Sequence, residues 1–503
     1  MSPTRHQLRH PGGGCGHPAS VFQRFGWNPA NSPLPSIGAL MDRSGTRGDM
    51  VAADGLPQVG SKVRLNASTW NGPTVVEGVL LSPSAEGCIT VKLLNGYNVT
   101  HRLENVTELE VVAGPDAESA GDEGEVVEDA GLPVVFILHT GGTIASKVDY
   151  STGAVTARFE PEELLAAVPE LARHARIRTR KLGNMWSDDI RPRHWNRMAS
   201  ASAEACAEGA AGVVITHGTD TMHISAAAVA FAFSGEGGRP AGRIAFTGSQ
   251  RSSDRGSTDG VQNLIAAVHW AAHGPEPAGG CADSTALIMH AGSDDGVMAV
   301  HPGCAVRKDH SSRRDAFQSV NQAPLAEVAV SQDGAEITLD EGYAARRQQA
   351  TAREVCESPT PFSEDVRILQ LIAGSQLYAD QIEFAGSAGY DAILFNGTGL
   401  GHLPLDDPGD APENTAVADA LGVYVAGGGV AVVTTQCIRG PIHLDVYSKG
   451  RDQQSLGVLG HGSTCSPEAS LAKLHHLLSR GVSGDELAAA WKADLVGENP
   501  DTI

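Results

Sequence analysis

Two threonine-rich turns carry the residue types that nucleophilic attack on a carbonyl group requires. Residues 140–145 read TGGTIA and residues 217–221 read HGTDT, and each turn directly follows a run of apolar residues. A threonine hydroxyl becomes a nucleophile only where a neighbouring group removes its proton and nearby donors stabilise the oxyanion. Glycines at a strand end let backbone N–H groups approach such an anion. Either turn alone is also explained as a cap between a strand and a helix.

The segments around these turns predict the sheet that positions them. From residue 132 onward, β-branched runs alternate with helical stretches, and the first four runs cover residues 134–138, 212–216, 243–246 and 286–290. This alternation is typical of βαβ units, whose parallel sheet is covered by helices on both faces. Because the carboxyl ends of parallel strands meet at one edge, both turns are expected to face one crevice.

Together, the two turns resemble the signature motifs of the asparaginase and glutaminase family. The resemblance implies an α/β fold, an asparaginase-like pair of parallel-sheet domains with amidohydrolase activity. It also implies that Thr143 is the nucleophile, and that residues 147–153 form a mobile lid from which Tyr150 helps to deprotonate it. Closure of that lid is expected to expel bulk water before the acyl-enzyme forms.

Other positions complete the site that this resemblance implies. Thr219, Asp220 and Lys308 form a second catalytic cluster, in which Asp220 holds the Lys308 ammonium group and Lys308 polarises the Thr219 hydroxyl for proton relay. Asp220, beside Thr219, is expected to bind the α-ammonium group of the substrate, and Ser187 its α-carboxylate. Without the two motifs, Lys308 is better explained as part of a solvated basic turn. His217 is interpreted as structural, with an acid–base role as the alternative.

The N-terminal region predicts a tail, a small barrel and a tether. Residues 1–55 have the composition of a disordered tail, although a transit peptide, or a true start at Met41 or Met50, would also explain them. Residues 56–113 predict a small SH3-like β-barrel, with a type I′ hairpin at Asn95-Gly96. Its strands are expected at residues 63–65, 75–81, 89–94, 97–101 and 109–112. Residues 114–131 form an acidic linker.

The C-terminal half predicts a second α/β unit. Its strands are expected at residues 366–371, 392–395 and 430–434. Its last helix is expected to have Ser466 as its N-cap and to stop at Gly481, and residues 461–464 before it are expected on the surface. The predicted domains are therefore residues 132–345 with the catalytic residues, a linker over residues 346–364, and residues 365–503.

The composition limits the partners and the compartment. The 37 Lys and Arg residues against 59 Asp and Glu residues give a net charge of −22, so a nucleic acid is expected to be held chiefly by a partner. The eight cysteines have no metal-ligand spacing and indicate reduced thiols in a cytoplasmic chain. No run approaches the ~18 to 20 apolar residues of a membrane span.

A second resemblance covers residues 57–480. The barrel, the acidic linker and the runs 306–317 and 446–452 resemble the D-type subunits of the archaeal glutamyl-tRNA(Gln) amidotransferases. This implies a protein that hydrolyses glutamine without a cofactor or metal of its own, while a partner, the E-type subunit, binds Glu-tRNA(Gln) and uses ATP and Mg. It further implies a homodimer of this chain within a heterotetramer, with low glutaminase activity until partner and tRNA are present.

Two other functions stay open at this point. A free-standing cytosolic L-asparaginase would carry the same motifs but has no evident use for the barrel. A catalytically inactive scaffold could bind a partner through the barrel but would not need the intact set of Thr143, Thr219, Asp220 and Lys308. The resemblance also implies that a neighbouring protomer completes each site. Residues 373–376 are the stretch considered for this contribution, and none of them is assigned to it.

Overall fold

The N-terminal strands form one antiparallel sheet. The computed structural model describes residues 56–57, 60–69, 72–81, 87–93, 98–114, 131–141, 147–149, 154–156, 168–251, 258–331 and 333–500. The sheet has the order β4-β3-β2-β1-β5, and its strands are β1 Lys62–Thr69, β2 Gly72–Leu81, β3 Cys88–Leu93, β4 Asn98–Arg102 and β5 Val106–Ala113. In β1, Val63, Leu65 and Ala67 alternate with polar residues and are buried on one face. The five expected strands are thus present, and the Asn95-Gly96 hairpin lies outside the described residues.

An eight-stranded sheet forms the first α/β domain, in the order β17-β16-β13-β12-β11-β10-β6-β9. Its strands and those of two small hairpins are β6 Val134–Gly141, β7 Lys147–Asp149, β8 Ala154–Thr156, β9 Arg176–Met185, β10 Gly212–Thr216, β11 Arg243–Thr247, β12 Ala286–His290, β13 Val297–Pro302, β14 Val306–Lys308, β15 Phe317–Ser319, β16 Ala326–Val330 and β17 Ala335–Leu339. Strands β9, β6, β10, β11 and β12 pair in parallel, as the βαβ pattern predicted. The antiparallel extension through β13, β16 and β17 was not predicted; short turns follow β12 and β16, and such turns can join only antiparallel strands.

Helices cover both faces of this sheet. They are α1 Pro192–Ala207, α2 Met222–Ala232 and α3 Gly260–His273, followed by α4 Glu341–Gln349. Val213 and Ile215 of β10 pack in the core that contains α1 and α2. Val214, between them, packs with α3 on the opposite face. This explains why β10 is buried at every position and mostly apolar, as expected of a strand that is covered on both sides.

The second α/β domain has a three-stranded parallel sheet. Its elements are β18 Ile368–Ile372, β19 Ala392–Gly397 and β20 Val430–Thr435, with α5 Ala379–Ser387, α6 Pro412–Ala426, α7 Ser448–Ser455, α8 Pro467–Ser479 and α9 Gly484–Lys492. Helix α8 begins as predicted, because the Ser466 hydroxyl accepts a hydrogen bond from the Ala469 N–H and Pro467 is the first helical residue. It is not the last helix, since α9 follows Gly481.

Two segments that the sequence described as peripheral are packed. The predicted linker over residues 346–364 begins inside α4, and its Phe362 is buried against Trp195, with ring centroids 5.2 Å apart. The expectation that residues 461–464 lie on the surface holds for Gly462 but is wrong for Ser463 and Thr464. Ser463 and Thr464 are buried, and both bond to the side chain of Asn499. The C-terminal segment after α9 covers them, and local composition does not encode that contact.

Candidate active site

The two threonine-rich turns leave the sheet side by side. Strands β6 and β10 are parallel neighbours, with His139 opposite Thr216. The Thr140 hydroxyl donates to the Thr216 carbonyl oxygen at 2.9 Å. Gly141 has a φ of 119°, and a Cβ there would overlap the backbone of Met185 at the end of β9. Glycine is therefore required at this turn, both for its backbone conformation and for the close approach of β9.

A lysine, a threonine and an aspartate meet just beyond β10. Lys308 Nζ donates to Thr219 Oγ1 at 2.9 Å and to Asp220 Oδ1 at 2.6 Å. The side chain of Lys308 is only 8% exposed, whereas that of Asp220 is 70% exposed. The Thr219 hydroxyl also donates to Gln250 Oε1 at 3.5 Å. The cluster is thus a short hydrogen-bonded chain whose carboxylate still faces solvent.

A β-hairpin brings Lys308 to this cluster. Strands β14 and β15 pair antiparallel, with Lys308 opposite Phe317. Phe317 is buried, and Arg307 lies 3.5 Å from the carboxylate of Glu468 at the start of α8. The hairpin is therefore fixed from both sides, which holds the lysine in place without a strand of the main sheet.

The Ser187 turn is locked to the Thr219 turn. Ser187 begins a 3₁₀ turn, and its hydroxyl oxygen accepts a hydrogen bond from the Asp220 N–H at 3.2 Å. The Thr221 hydroxyl donates to the Ser187 carbonyl oxygen at 2.6 Å. A Cβ at Gly218 would lie 2.9 Å from the Ser187 Cβ, so the glycine permits this contact. Ser187 is thereby placed beside the exposed carboxylate of Asp220.

The neutral imidazole of His217 stabilises the turn over residues 217–221. The ring is completely buried, and its Nδ1 donates to the Gly218 carbonyl oxygen at 2.7 Å. Burial lowers the pKa of His217 to about 4, against the smaller opposite effect of that hydrogen bond. At neutral pH the imidazole therefore acts as a hydrogen-bond donor within the turn, which agrees with a structural role.

An aspartate that the sequence analysis missed supports the site from behind. Asp259 accepts hydrogen bonds from the Ser249 hydroxyl, from the backbone N–H groups of Gln250 and Arg251, and from the Asn263 side chain. It fixes the turn after β11 that presents Gln250 to Thr219. The sequence does mark the turn itself, because residues 247–250 read TGSQ at the end of a buried strand, but it does not mark Asp259.

The described residues include four members of the predicted site, namely Thr219, Asp220, Lys308 and Ser187. Thr143 and Tyr150 lie outside the described residues. Within the described ranges, no group of three or more His, Cys, Asp and Glu residues is arranged to hold a metal ion. None of the helices in that part of the chain has the length and hydropathy that a bilayer crossing requires.

Two family models and two solved structures identify the class of this site. The model described as "Asparaginase, N-terminal" matches residues 134–341, and "Glutaminase/Asparaginase C-terminal domain" matches residues 365–490. The thermostable L-asparaginase from Thermococcus kodakarensis covers 73% of this chain and 100% of its own length, with a TM-score of 0.59 and 25% identity. L-asparaginase I from Vibrio cholerae covers 73% of this chain, with a TM-score of 0.58 and 26% identity. The fold is that of an asparaginase-type amidohydrolase.

Curated relatives narrow the class, because they also span the N-terminal sheet. The D-type subunit of glutamyl-tRNA(Gln) amidotransferase from Thermofilum pendens is 35% identical over 434 residues, which cover 84% of this chain and 90% of that protein. The corresponding protein of Halobacterium salinarum is 36% identical over 451 residues, which cover 87% and 96%. The chain belongs to this family, the D-type subunits of glutamyl-tRNA(Gln) amidotransferase.

Proposed function

We propose that this chain is the glutaminase subunit of a tRNA-dependent amidotransferase and hydrolyses glutamine to glutamate and ammonia. The observation that carries the proposal is the contact of Lys308 with Thr219 and Asp220 at the tip of β10. The contact brings together an ammonium group, a hydroxyl and a carboxylate just beyond β10, and β10 is the parallel neighbour of β6, the strand that precedes Thr143 in the sequence. The family membership supplies the substrate, since relatives at 35% identity are named for glutamyl-tRNA(Gln) amidation.

In the proposed reaction, the Thr143 hydroxyl attacks the side-chain amide carbon of glutamine. Tyr150 helps to remove the hydroxyl proton, and backbone N–H groups stabilise the oxyanion. Thr219 and Lys308 relay a proton to the amide nitrogen, the C–N bond breaks, and ammonia leaves. Water then attacks the ester carbonyl and releases glutamate with the Thr143 hydroxyl restored. Neither the acylation step nor the hydrolysis of the acyl-enzyme requires an oxidant or a metal.

The polar groups around the site suit both ends of an amino acid substrate. Asp220 keeps an exposed carboxylate oxygen although it binds Lys308, so it can also accept a hydrogen bond from the substrate α-ammonium group. Ser187 lies next to it and offers a hydroxyl to the α-carboxylate. Charge-assisted hydrogen bonds of this kind orient a substrate as well as bind it.

The remaining steps are assigned to partners. In this proposal the E-type subunit binds Glu-tRNA(Gln) and consumes ATP and Mg, and this chain has no cofactor of its own. The net charge of −22 supports such a division, because an acidic surface repels a phosphate backbone. The cytoplasm is the proposed compartment, and no two of the seven described cysteines form a disulfide with each other.

A homodimer within a heterotetramer is the proposed assembly. The second α/β domain exposes large apolar side chains on three neighbouring elements: Ile372 of β18 is 69% exposed, Phe384 of α5 56% and Val423 of α6 74%. Exposed apolar surface of this kind favours an interface. A second copy of the chain is the proposed occupant.

A free-standing L-asparaginase is the second candidate, favoured by the two solved asparaginases that superpose on 73% of the chain. Ammonia release from asparagine and from glutamine should be measured with the chain alone and with the E-type partner, ATP and Glu-tRNA(Gln). We expect slow glutamine hydrolysis alone and a clear increase in the complete mixture. Rapid, partner-independent hydrolysis of asparagine would establish the second candidate. Thr143→Ala should abolish whichever activity is found, while a fully active Thr143→Ala chain would overturn the nucleophile assignment.

A further inference from the structure

Gln250 ends the hydrogen-bonded chain that begins at Lys308. The Lys308 ammonium group donates to Thr219 Oγ1 at 2.9 Å, and an ammonium group has no lone pair with which to accept a hydrogen bond in return. The Thr219 hydroxyl therefore donates elsewhere, and its acceptor is Gln250 Oε1 at 3.5 Å. This order of donors and acceptors sets the orientation of the Gln250 amide, whose oxygen faces Thr219.

The nitrogen of the same amide is a buried donor without an acceptor. Gln250 Nε2 is shielded from solvent and forms no hydrogen bond within the part of the chain that the structure describes. Leaving a buried donor unpaired costs about 1 to 3 kcal/mol. An amide beside the candidate site recovers that free energy when a bound ligand supplies an acceptor.

The backbone of Gln250 is fixed by its surroundings. Its N–H donates to the carboxylate of Asp259, which is completely buried and also accepts from the Asn263 side chain at 3.0 Å. A Cβ at Gly248 would lie 2.5 Å from the His217 carbonyl oxygen, so the turn after β11 packs directly on the turn after β10. The amide is therefore held beside Thr219 before a ligand binds, as a preorganised donor requires.

We propose that Gln250 is a catalytic residue that donates a hydrogen bond from Nε2 to the side-chain carboxamide oxygen of the substrate. The inference rests on the proposed function, in which Thr219 relays a proton to the nitrogen of that carboxamide. A group that exchanges a proton with Thr219 lies within about 3 Å of its hydroxyl. Gln250 Oε1 contacts the same hydroxyl, which brings Nε2 within reach of the carboxamide oxygen. The other strong acceptor of the substrate, its α-carboxylate, is assigned to Ser187.

The contact strengthens as the reaction proceeds. When the Thr143 oxygen bonds to the carboxamide carbon, the C=O π electrons move onto the carboxamide oxygen, and they return when the C–N bond breaks. Gln250 Nε2 keeps its proton throughout and acts only as a hydrogen-bond donor, in addition to the backbone N–H groups. A fixed donor at a developing oxyanion stabilises the transition state more than the bound substrate. Loss of Gln250 should therefore lower kcat more than it raises KM.

The alternative is that Gln250 only orients the Thr219 hydroxyl, and two substitutions separate the two roles. Gln250→Glu keeps an oxygen that can accept from Thr219 but replaces the donor by a second oxygen, whereas Gln250→Met removes both groups. In the reconstituted complex we expect both variants to lose about 100- to 1,000-fold in kcat, the range for one oxyanion donor. Gln262→Met is the control, since Gln262 accepts from the Gly296 N–H away from the site and its loss should leave kcat unchanged. A Gln250→Glu enzyme with wild-type kcat would overturn the proposal.

The carbonyl stretch of the bound substrate reports the contact without turnover. A Thr143→Ala complex cannot form the acyl-enzyme, so it can be loaded with glutamine that carries carbon-13 at the carboxamide carbon. A hydrogen bond to the carboxamide oxygen lowers the stretching frequency of that bond. Adding Gln250→Met to Thr143→Ala should therefore move the infrared band to higher frequency, whereas adding Gln262→Met should not. An unmoved band in the Gln250→Met complex would overturn the proposal even if kcat had fallen.

The two measurements also separate this inference from the proposed function. Asparagine carries the same side-chain carboxamide, so both experiments use whichever of the two amides the unmodified complex hydrolyses. Hydrolysis of asparagine with a band that moves in the Gln250→Met complex would contradict the proposed substrate and support the Gln250 contact. Hydrolysis of glutamine with an unmoved band would support the proposed function and overturn the Gln250 contact.

Discussion

The ammonium nitrogen of Lys308 lies 2.6 Å from Oδ1 of Asp220, although 88 residues separate the two positions in the chain. The same nitrogen is 2.9 Å from the Thr219 hydroxyl. The lysine is nearly buried and the aspartate is mostly exposed. This asymmetry lets the carboxylate bind two cations, the lysine from inside and a substrate ammonium group from outside.

Lys308→Met should reduce glutaminase activity by about 100- to 10,000-fold, the range for loss of a proton-transfer group. The fold should survive, because Asp220 remains solvated when its partner is lost. Ammonia release by the reconstituted complex and the thermal unfolding midpoint are the measurements. Lys449→Met removes a comparable lysine–aspartate pair elsewhere and should leave activity unchanged. A Lys308→Met enzyme with wild-type activity would exclude the lysine from the reaction.

Thr219→Val should be as damaging as the loss of the lysine, because it removes the hydroxyl that links Lys308 to Gln250. Thr219→Ser keeps that hydroxyl and should retain most of the activity. Valine has nearly the shape of the native threonine, so the ratio of the Thr219→Val and wild-type kcat values reports the loss of the hydroxyl with little change in packing. Equal kcat values would show that Thr219 only fills space.

Ser187→Ala should raise KM for glutamine more than it lowers kcat. The expected effect is about tenfold, since one hydrogen bond to a charged group contributes about 1.5 kcal/mol or more. Steady-state kinetics on the complex gives the two constants separately. Ser331→Ala, at an exposed serine in the turn after β16, is the control. A fall in kcat alone would place Ser187 in the chemical step instead.

The sequence predicted the elements that local patterning encodes. Strands β6 and β10 were placed correctly, because runs such as GVVIT consist mainly of β-branched residues and each leads into a glycine turn. Asp259 was missed, since its role depends on backbone N–H groups that a turn 8 to 10 residues away folds towards it. Lys308 was proposed only through a family resemblance, because nothing in its own neighbourhood distinguishes it from an exposed lysine.

The features that the sequence did not predict are mainly contacts between distant segments of the chain. The predicted linker over residues 346–364 begins inside α4 and buries Phe362 against the first domain. The burial of Ser463 likewise depends on Asn499, 36 residues further on. Hydrophobic periodicity reports which side of an element is buried, but not which distant segment covers it.

A buried ion pair near the C-terminus should dominate the stability of the second domain. Lys473 and Glu498 are fully buried, and Lys473 Nζ lies 2.6 Å from Glu498 Oε1. Lys473→Met leaves a buried carboxylate without its cation and should cost about 3 to 5 kcal/mol of unfolding free energy. Arg193→Met breaks an exposed pair with Glu364 and should cost less than about 1 kcal/mol. Denaturant titration measures both, and equal losses would contradict the argument.

Buried histidines should make the fold sensitive to acid. His301 is buried with its Nδ1 2.8 Å from the Ser319 hydroxyl, and burial lowers its pKa to about 4. In the unfolded chain a histidine has a pKa of about 6.5. Below that pH the unfolded chain therefore binds a proton at His301, whereas the folded chain does not until the pH approaches 4. The stability that His301 contributes is therefore complete above pH 6.5 and is lost as the pH falls towards 4, with a limit of about 3 kcal/mol. Unfolding midpoints of wild type and His301→Gln, measured from pH 7.5 to 4.5, should converge at low pH. A constant difference between wild type and His301→Gln at every pH would contradict this origin of acid sensitivity.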